Sequence, residues 1–572
     1  MKRTIILLTL LLLTAYPHAQ QSFLQKQGVS TQLIVEGKPF IILGGELGNS
    51  SATCPQDIER IFPKIRRMGL NTLLVPAYWV LIEPTEGQFD FTLTDKVLEE
   101  ARKNDLKIVF LWFGAWKNSM SCYAPLWFKT NYQKYPRAIT QNGKPLEIAS
   151  AFSDNVFRAD NMAFTQWLKH IAEADKNDGT VIMIQIENEI GMLESARDYS
   201  QAANRAFQSP VPEQLMNYLQ ANKKKLHPQM LEKWEAQGCP HQGNWQEVFG
   251  NDIYTDEIFM AWHYANYVEK MAQTARSIYP VPLYVNAAMN SRGRKPGEYP
   301  SAGPLAHLID IWHCGAPSID ILAPDLYDSG FQNWVAQYHL HNNPLFIPEM
   351  RLDDNNGVKA FYTIGEHDAI GISPFSIEDA TYSPQAPLTQ SYAILKEMMP
   401  LITKYQGKGA MKGLLFDQTN KERILRDGKL TITCKHYFTL PWDARATDGS
   451  IWPEGGGILL KLNTNEYIVA GSGIVVEFAN STEDTAGNGK ERLGEDGFKL
   501  QGENSKDNPI TEAKRFKGKR CGLGTVDEIQ IKEDGRFSYV RRLNGDQTHQ
   551  GRHVRIATGE FKILHVKLYE YQ

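Results

Sequence analysis

The stretch VIMIQIENEIGM, residues 181–192, begins as a buried strand and ends in charge. Val181, Ile182, Met183, Ile184 and Ile186 are apolar almost without a break, the pattern of a strand covered on both faces. Glu187, Asn188 and Glu189 then arrive where a core excludes charge. An unpaired buried carboxylate costs roughly several kcal/mol, so these acids need a purpose.

Seven further apolar runs share the pattern. A first strand at 40–44 follows a small hairpin turning at Gly37, Lys38 and Pro39. The others are NTLLVPAYW (71–79), LKIVFLWFGAW (106–116), VPLYVNAAM (281–289), IDILAPDLYD (319–328), PLFIPEMR (344–351) and AIGISPF (369–375). Helical periodicity lies between them, over 54–68, 94–104 and 256–278. Eight strands alternating with helices predict an α/β fold, a closed (β/α)8 TIM barrel. The competing open doubly wound sheet wants a GxGxxG loop after a strand, and the chain has none.

The organisation read from this pattern is a barrel over 20–385, with a helical insertion at about 195–255. Beyond it, 386–572 holds a linker helix and short alternating runs such as KLTITCKHYF and EFKILHVKLYEY. Turn residues separate those runs, which predicts an antiparallel β-sandwich-type domain. Residues 480–508 are polar and read as a loop.

With 572 residues, two or three domains are expected. A net charge of −4 gives no electrostatic footing for nucleic acid. Lys2 and Arg3 precede an apolar run to about Ala15, the charge order and length of a signal peptide over 1–19 and too short for a spanning helix. Export to the periplasm or medium is therefore expected, without membrane insertion after cleavage. Six cysteines at 54, 122, 239, 314, 434 and 521 show no CxxC spacing, and mostly free, buried thiols are expected.

In such a barrel the C-terminal strand ends face the active-site mouth. The polar residues there are Glu46 and Asn49, Tyr78, Trp79 and Glu83, then Trp112, Trp116, Lys117 and Asn118. Asn188 and Glu189, Asp325 and Tyr327, and Glu349 and Arg351 complete the set. Carboxylates, amides and aromatics dominate. HLH at 339–341, the one close histidine pair, precedes a strand, so neither a metal nor an organic cofactor is expected. Two carboxylates at separate strand ends are the minimum equipment for cleaving a glycosidic bond: one protonates the leaving oxygen and the other attacks the anomeric carbon.

QIENEIG at 185–191 resembles the acid/base motif of glycoside hydrolase family 35, β-galactosidases of a large retaining (β/α)8 clan. GLNTLLVPAYWVLIEPTEGQFDF at 69–91 resembles that family's second-strand segment through Trp79, Glu83-Pro84, Gly87 and Phe89-Asp90-Phe91. The resemblance spans roughly residues 30–380. It implies that Glu189 is the proton donor, that Asn188 holds the 2-hydroxyl, and that Glu349 in FIPEMR is the nucleophile. It departs at the third strand, where WFGAWKNSMSC replaces a CAE triplet, and at the first, where GGELGNSS replaces a serine-histidine-tyrosine pattern. Such a variant is similar to a bacterial branch with an extra C-terminal β domain, linked to trimming galactose from plant xyloglucan.

The resulting expectation is an exported retaining exo-β-glycosidase, a β-galactosidase acting on oligosaccharides or plant polysaccharide side chains. Glu349 forms the glycosyl-enzyme, and Glu189, kept protonated beside it, acts as acid and then as base. Tyr327 would hydrogen-bond the nucleophile. Trp79, Trp112 and Trp116 would form the ring platform, with Asn188, Lys117, Asn118, Glu46 and Asn49 as further sugar contacts. Glu187 reads as a rim acid paired with a basic residue. The alternatives are another activity of the clan (β-glucosidase, α-L-arabinopyranosidase or β-mannosidase) or a non-catalytic carbohydrate-binding barrel.

Overall fold

The 181–192 strand sits fourth in a closed barrel of eight parallel strands. The barrel is seen in a computed structural model that describes residues 20–289, 293–327, 329–340, 343–440, 442–481 and 518–572, with backbone alone at 492–493 and 499–500. The strands are β1 (Ile42–Glu46), β2 (Thr72–Tyr78), β3 (Lys107–Phe113), β4 (Val181–Gln185), β5 (Leu283–Ala288), β6 (Ile321–Leu326), β7 (Phe346–Met350) and β8 (Gly371–Pro374). Every strand pairs with its neighbours in sequence, and β8 returns to β1 through Gly371 opposite Ile42. The expected signal segment, 1–19, lies outside the described residues, as does most of the polar 480–508 stretch.

The helices are α1 (Pro55–Arg67), α2 (Thr92–Lys103), α3 (Asp154–Ala174), α4 (Ile253–Ile278), α5 (Ile309–Gly315), α6 (Phe331–Tyr338), α7 (Asn356–His367) and α8 (Pro387–Tyr405). Helix α1 shows why they pack as they do. Its buried residues Ile58, Ile61, Phe62 and Ile65 fall at i, i+3, i+4 and i+7, one stripe turned toward the strands.

Two details differ from the expectation. The first barrel strand begins at Ile42, two residues later than read, which makes Glu46 its last residue. The hairpin before it is a three-stranded antiparallel sheet, Phe23–Gln27, Ser30–Val35 and Lys38–Phe40. Helix α8 packs against both parts of the chain: the Tyr392 hydroxyl donates to the Gly44 carbonyl of β1 at 2.9 Å, and Glu397 accepts the Ile531 N–H of the β domain at 2.6 Å.

Between β4 and α4 lie four short helices, Gln201–Gln208, Glu213–Asn222, Pro228–Glu235 and Trp245–Phe249. Beyond α8, a six-stranded and a four-stranded antiparallel sheet enclose a core that includes Leu414, Ile432, Val469, Ile474, Val476 and Val566. The outer face of the larger sheet is apolar too. Ile458, Leu460, Ile468, Ile529 and Ile563 join the barrel's own core cluster. Arg423 adds a two-pronged ion pair to Glu366 of α7, at 2.8 and 2.9 Å.

All six cysteines are free, but only Cys314 and Cys434 are buried and Cys122 is exposed. A chain of this size buries enough apolar surface to fold without staples. Among the described residues, no helix is long and apolar enough to cross a membrane.

Candidate active site

The ladder of β4 ends at Gln185, and the chain then turns sharply. Glu187 and Glu189 both take left-handed backbone angles, φ 58° and 45°. Residues other than glycine pay about 1–3 kcal/mol each for such angles, so the surroundings must hold them. One side is held by residues 116–119. Asn188 N–H donates to the Trp116 carbonyl at 3.3 Å, Asn118 N–H to that of Asn188 at 3.2 Å, and Ser119 N–H to that of Glu189 at 3.1 Å. The other side is held by β5, where Asn286 Oδ1 accepts Glu189 N–H at 3.0 Å.

The turn breaks the alternation of a strand, and the two acids part company. Glu187 lies against α3, while Glu189 enters the barrel mouth. There its carboxylate oxygen comes within 4.8 Å of one on Glu349, the fourth residue of β7, and one on Asp325 of β6. Asp325 stands opposite Glu349 in the β6–β7 register. Each acid commits one oxygen to a donor: Asn118 Nδ2 to Glu189, the Tyr327 hydroxyl to Glu349, and Asn286 Nδ2 to Asp325 at 2.7 Å. Three oxygens so close could also take a cation, while the donors give each carboxylate its own fixed orientation.

The electrostatics follow from depth. Burial, then the charge of Glu189, pushes Glu349 up to about 7, against the opposing pull of Lys117 and the Tyr327 hydrogen bond. Glu46 and Asp325 are held well above the usual carboxylate range, in each case by burial first and by Glu349 next. Lys117, itself 3% exposed, is the cation of the group; its ammonium lies over the Phe113 ring at 5.0 Å and donates to Asn118 Oδ1.

Several buried polar atoms here have no partner: both oxygens of Glu46, both amide atoms of Asn188, Asp325 Oδ1, Glu349 Oε2 and Ser373 Oγ. Leaving one such group unsatisfied costs about 1–3 kcal/mol. Their convergence on one mouth suits a ligand with many hydroxyls. Asn49 stands at the rim; its carbonyl accepts from the Tyr123 hydroxyl at 3.0 Å, and its side-chain oxygen is unpartnered.

The three tryptophans do not form the expected platform. All are fully buried. Trp79 donates to Glu83 at 2.9 Å and packs on Trp127 and Phe128. Trp112 points out of the barrel, donating to Asp160 of α3 at 2.9 Å and packing on Phe164 and Trp167. Strand alternation explains it: Phe110 and Trp112 face the helices, which leaves Phe113 to face the mouth. Trp116 is wedged edge-on between Tyr264 and Tyr267. The basic partner expected for Glu187 is likewise replaced by an acid, Asp160. His339 of the HLH stretch contacts His367, and His341 lies outside the described residues.

Asp160 and Asn286 were not read as site residues, and Asp325 was read as a polar residue of the mouth without a role. Each carried a signal: Asp160 interrupts an apolar helical stripe, and Asn286 and Asp325 interrupt apolar strands.

Comparison with known proteins bears on the same residues. A family model for glycoside hydrolase family 42, described as Beta-galactosidase, matches residues 51–296, from just after β1 through β5 and including Glu189. A second model, described as a domain of unknown function, matches 388–555, which is α8 and most of the sandwich. A β-galactosidase of Xanthomonas manihotis is 28% identical over 182 residues, 31% of this chain and 28% of the relative. The chain thus aligns with under a third of that relative's length. Among solved structures, the β-galactosidase of the psychrophilic Marinomonas ef1 superposes with a TM-score of 0.42 at 13% identity, covering 63% of this chain and 60% of that one. A catalytic mutant of a family 42 β-galactosidase from G. stearothermophilus gives 0.42 at 14%, covering 64% and 57%. The similarity is therefore to β-galactosidases of the retaining (β/α)8 clan, and it runs to family 42 in place of the family 35 suggested by the motifs.

Proposed function

We propose that this protein is a retaining exo-β-glycosidase that releases terminal galactose from oligosaccharides or plant polysaccharide side chains such as those of xyloglucan. One observation carries the mechanism: carboxylate oxygens of Glu189 and Glu349 within 4.8 Å of each other. Double displacement wants the two carboxyl groups about 5–5.5 Å apart, whereas inversion leaves about 6.5–9.5 Å for a water. Glu349 attacks the anomeric carbon while Glu189 protonates the leaving oxygen. Glu189 then takes a proton from water as that water opens the glycosyl-enzyme. Tyr327 aims the nucleophile, and Asn118 and Asn286 aim the donor. The unpartnered atoms of Asn188, Glu46 and Asp325 supply sugar contacts.

The choice of galactose rests on the family 42 match and the β-galactosidase relative. A panel of nitrophenyl β-glycosides tests it. The β-galactoside should give the highest kcat/KM. Faster turnover of the β-glucoside, β-mannoside or α-L-arabinopyranoside would replace the sugar and keep the chemistry. No turnover of any, with measurable binding of galactose, would favour a non-catalytic barrel. Export is part of the proposal, and a mature N-terminus at Gln20 outside the cytoplasm would support it.

A further inference from the structure

We propose that Glu187 and Asp160 form a one-proton acid pair that positions the proton donor Glu189 through the 116–119 segment, without touching substrate. This rests on Glu189 being the donor. Both acids are fully buried, one at the end of β4 and the other on α3. Asp160 is already committed on both oxygens, accepting from the Trp112 indole at 2.9 Å and the Tyr267 hydroxyl at 2.7 Å. Glu187 Oε2 accepts the Trp116 N–H at 2.8 Å, and Oε1 receives no donor from any neighbouring group.

That free oxygen faces Asp160 beside Gly114. A Cβ added to Gly114 would stand 2.6 Å from Asp160 Oδ1, 2.8 Å from Glu187 Oε1 and 2.2 Å from the Trp112 indole nitrogen, so only glycine lets the groups meet. No ion pair joins either acid to a cation among the described residues, and two bare charges in a dry site would repel strongly. One proton on Glu187, donated to Asp160, resolves this, and burial together with Asp160 does hold the Glu187 carboxyl well up.

The consequence reaches Glu189 by a short path. Trp116, gripped by Glu187, starts the segment whose backbone holds the left-handed Glu189 turn and whose Asn118 amide grips the Glu189 carboxylate. A displacement of about 1 Å at a reacting group can cost about a hundredfold.

The test uses the full chain and a series of aryl β-galactosides of rising leaving-group pKa. Glu187→Gln keeps an acceptor for Trp116 and a donor for Asp160, so it should stay within about threefold of the parent on every substrate. Glu187→Leu removes both. It should lose little on activated leaving groups and about a hundredfold on poor ones, sharing the steepened dependence of Glu189→Ala. If Glu187→Leu does not fold, Glu187→Asp, shorter by one methylene, should show the same steepening in milder form. A uniform loss across the series, or Glu187→Gln as impaired as Glu187→Leu, overturns the pair's role. A flat series for Glu189→Ala overturns the donor assignment itself and the pair with it. A steep series there beside a flat one for Glu187→Leu overturns the pair alone.

Discussion

Glu189 and Glu349, 160 residues apart in sequence, bring carboxylate oxygens within 4.8 Å of each other across the barrel mouth. This closeness favours the double displacement proposed above, with Glu349 as the nucleophile. The first product released from a β-galactoside should therefore be the β anomer, seen by proton NMR before mutarotation; the α anomer first would mean inversion.

The protonation of Glu349 sets a pH limit. As the proposed nucleophile it must be ionised to attack, and in the free protein it is pushed up to about 7. The acid limb of kcat/KM should accordingly lie near pH 7, activity falling below it. Lys117 opposes that push, so Lys117→Met should move the limb to higher pH. A limb that stays put in this variant would remove Lys117 from the charge balance.

Stability carries the same sign. A carboxyl held above its ordinary value of 4.5 binds a proton in the folded chain that the unfolded chain has released. Its contribution is fully present below about pH 4.5 and is lost as pH rises through about 7. Glu349→Gln, which carries no charge to bury, should melt higher than the parent at pH 8 and about level with it at pH 5. Equal melting at both would mean that Glu349 is not strained by burial.

Much of this was legible in the sequence, and the limits have physical reasons. The eight strands and the two acids that meet at the mouth could be read because apolar runs that end in carboxylates are costly without a use. The tryptophans could not be placed, because a strand end does not reveal where its alternation stops. Trp112 faces the helices only because Phe110 does. Glu187 and Glu189 would share a face in an ideal strand; their own left-handed backbone angles part them, and no residue in ENE announces such angles. Asp160 was hidden for another reason: its partner Glu187 is an acid, and two acids are not expected to pair.

Trp112 allows a direct check on that correction. Its ring packs on Phe164 and Trp167 and its indole N–H is taken by Asp160. Trp112→Ala should cost roughly 3–5 kcal/mol of stability in denaturant unfolding. If instead stability holds and the KM for an aryl galactoside rises tenfold or more, the ring does meet the sugar.

The two acids can be separated by their kinetics. Glu349→Ala should abolish nearly all turnover, because it removes the oxygen proposed to attack the anomeric carbon. Glu189→Ala should behave differently with a dinitrophenyl leaving group, which needs no proton to depart. The glycosyl-enzyme then forms, but its hydrolysis lacks a base and should slow by about 10²–10⁴-fold. A burst should precede a slow steady rate, with a lowered KM as the intermediate accumulates. Azide needs no base, so it should restore turnover in Glu189→Ala and give the β-glycosyl azide. In Glu349→Ala any azide product should be α, formed by direct displacement from the face that the nucleophile has left. Undiminished hydrolysis of a natural disaccharide by Glu189→Ala would transfer the acid role to another carboxyl of the mouth. Glu46 is the first to examine, since it is buried beside Glu349 and burial holds its carboxyl well above the usual range.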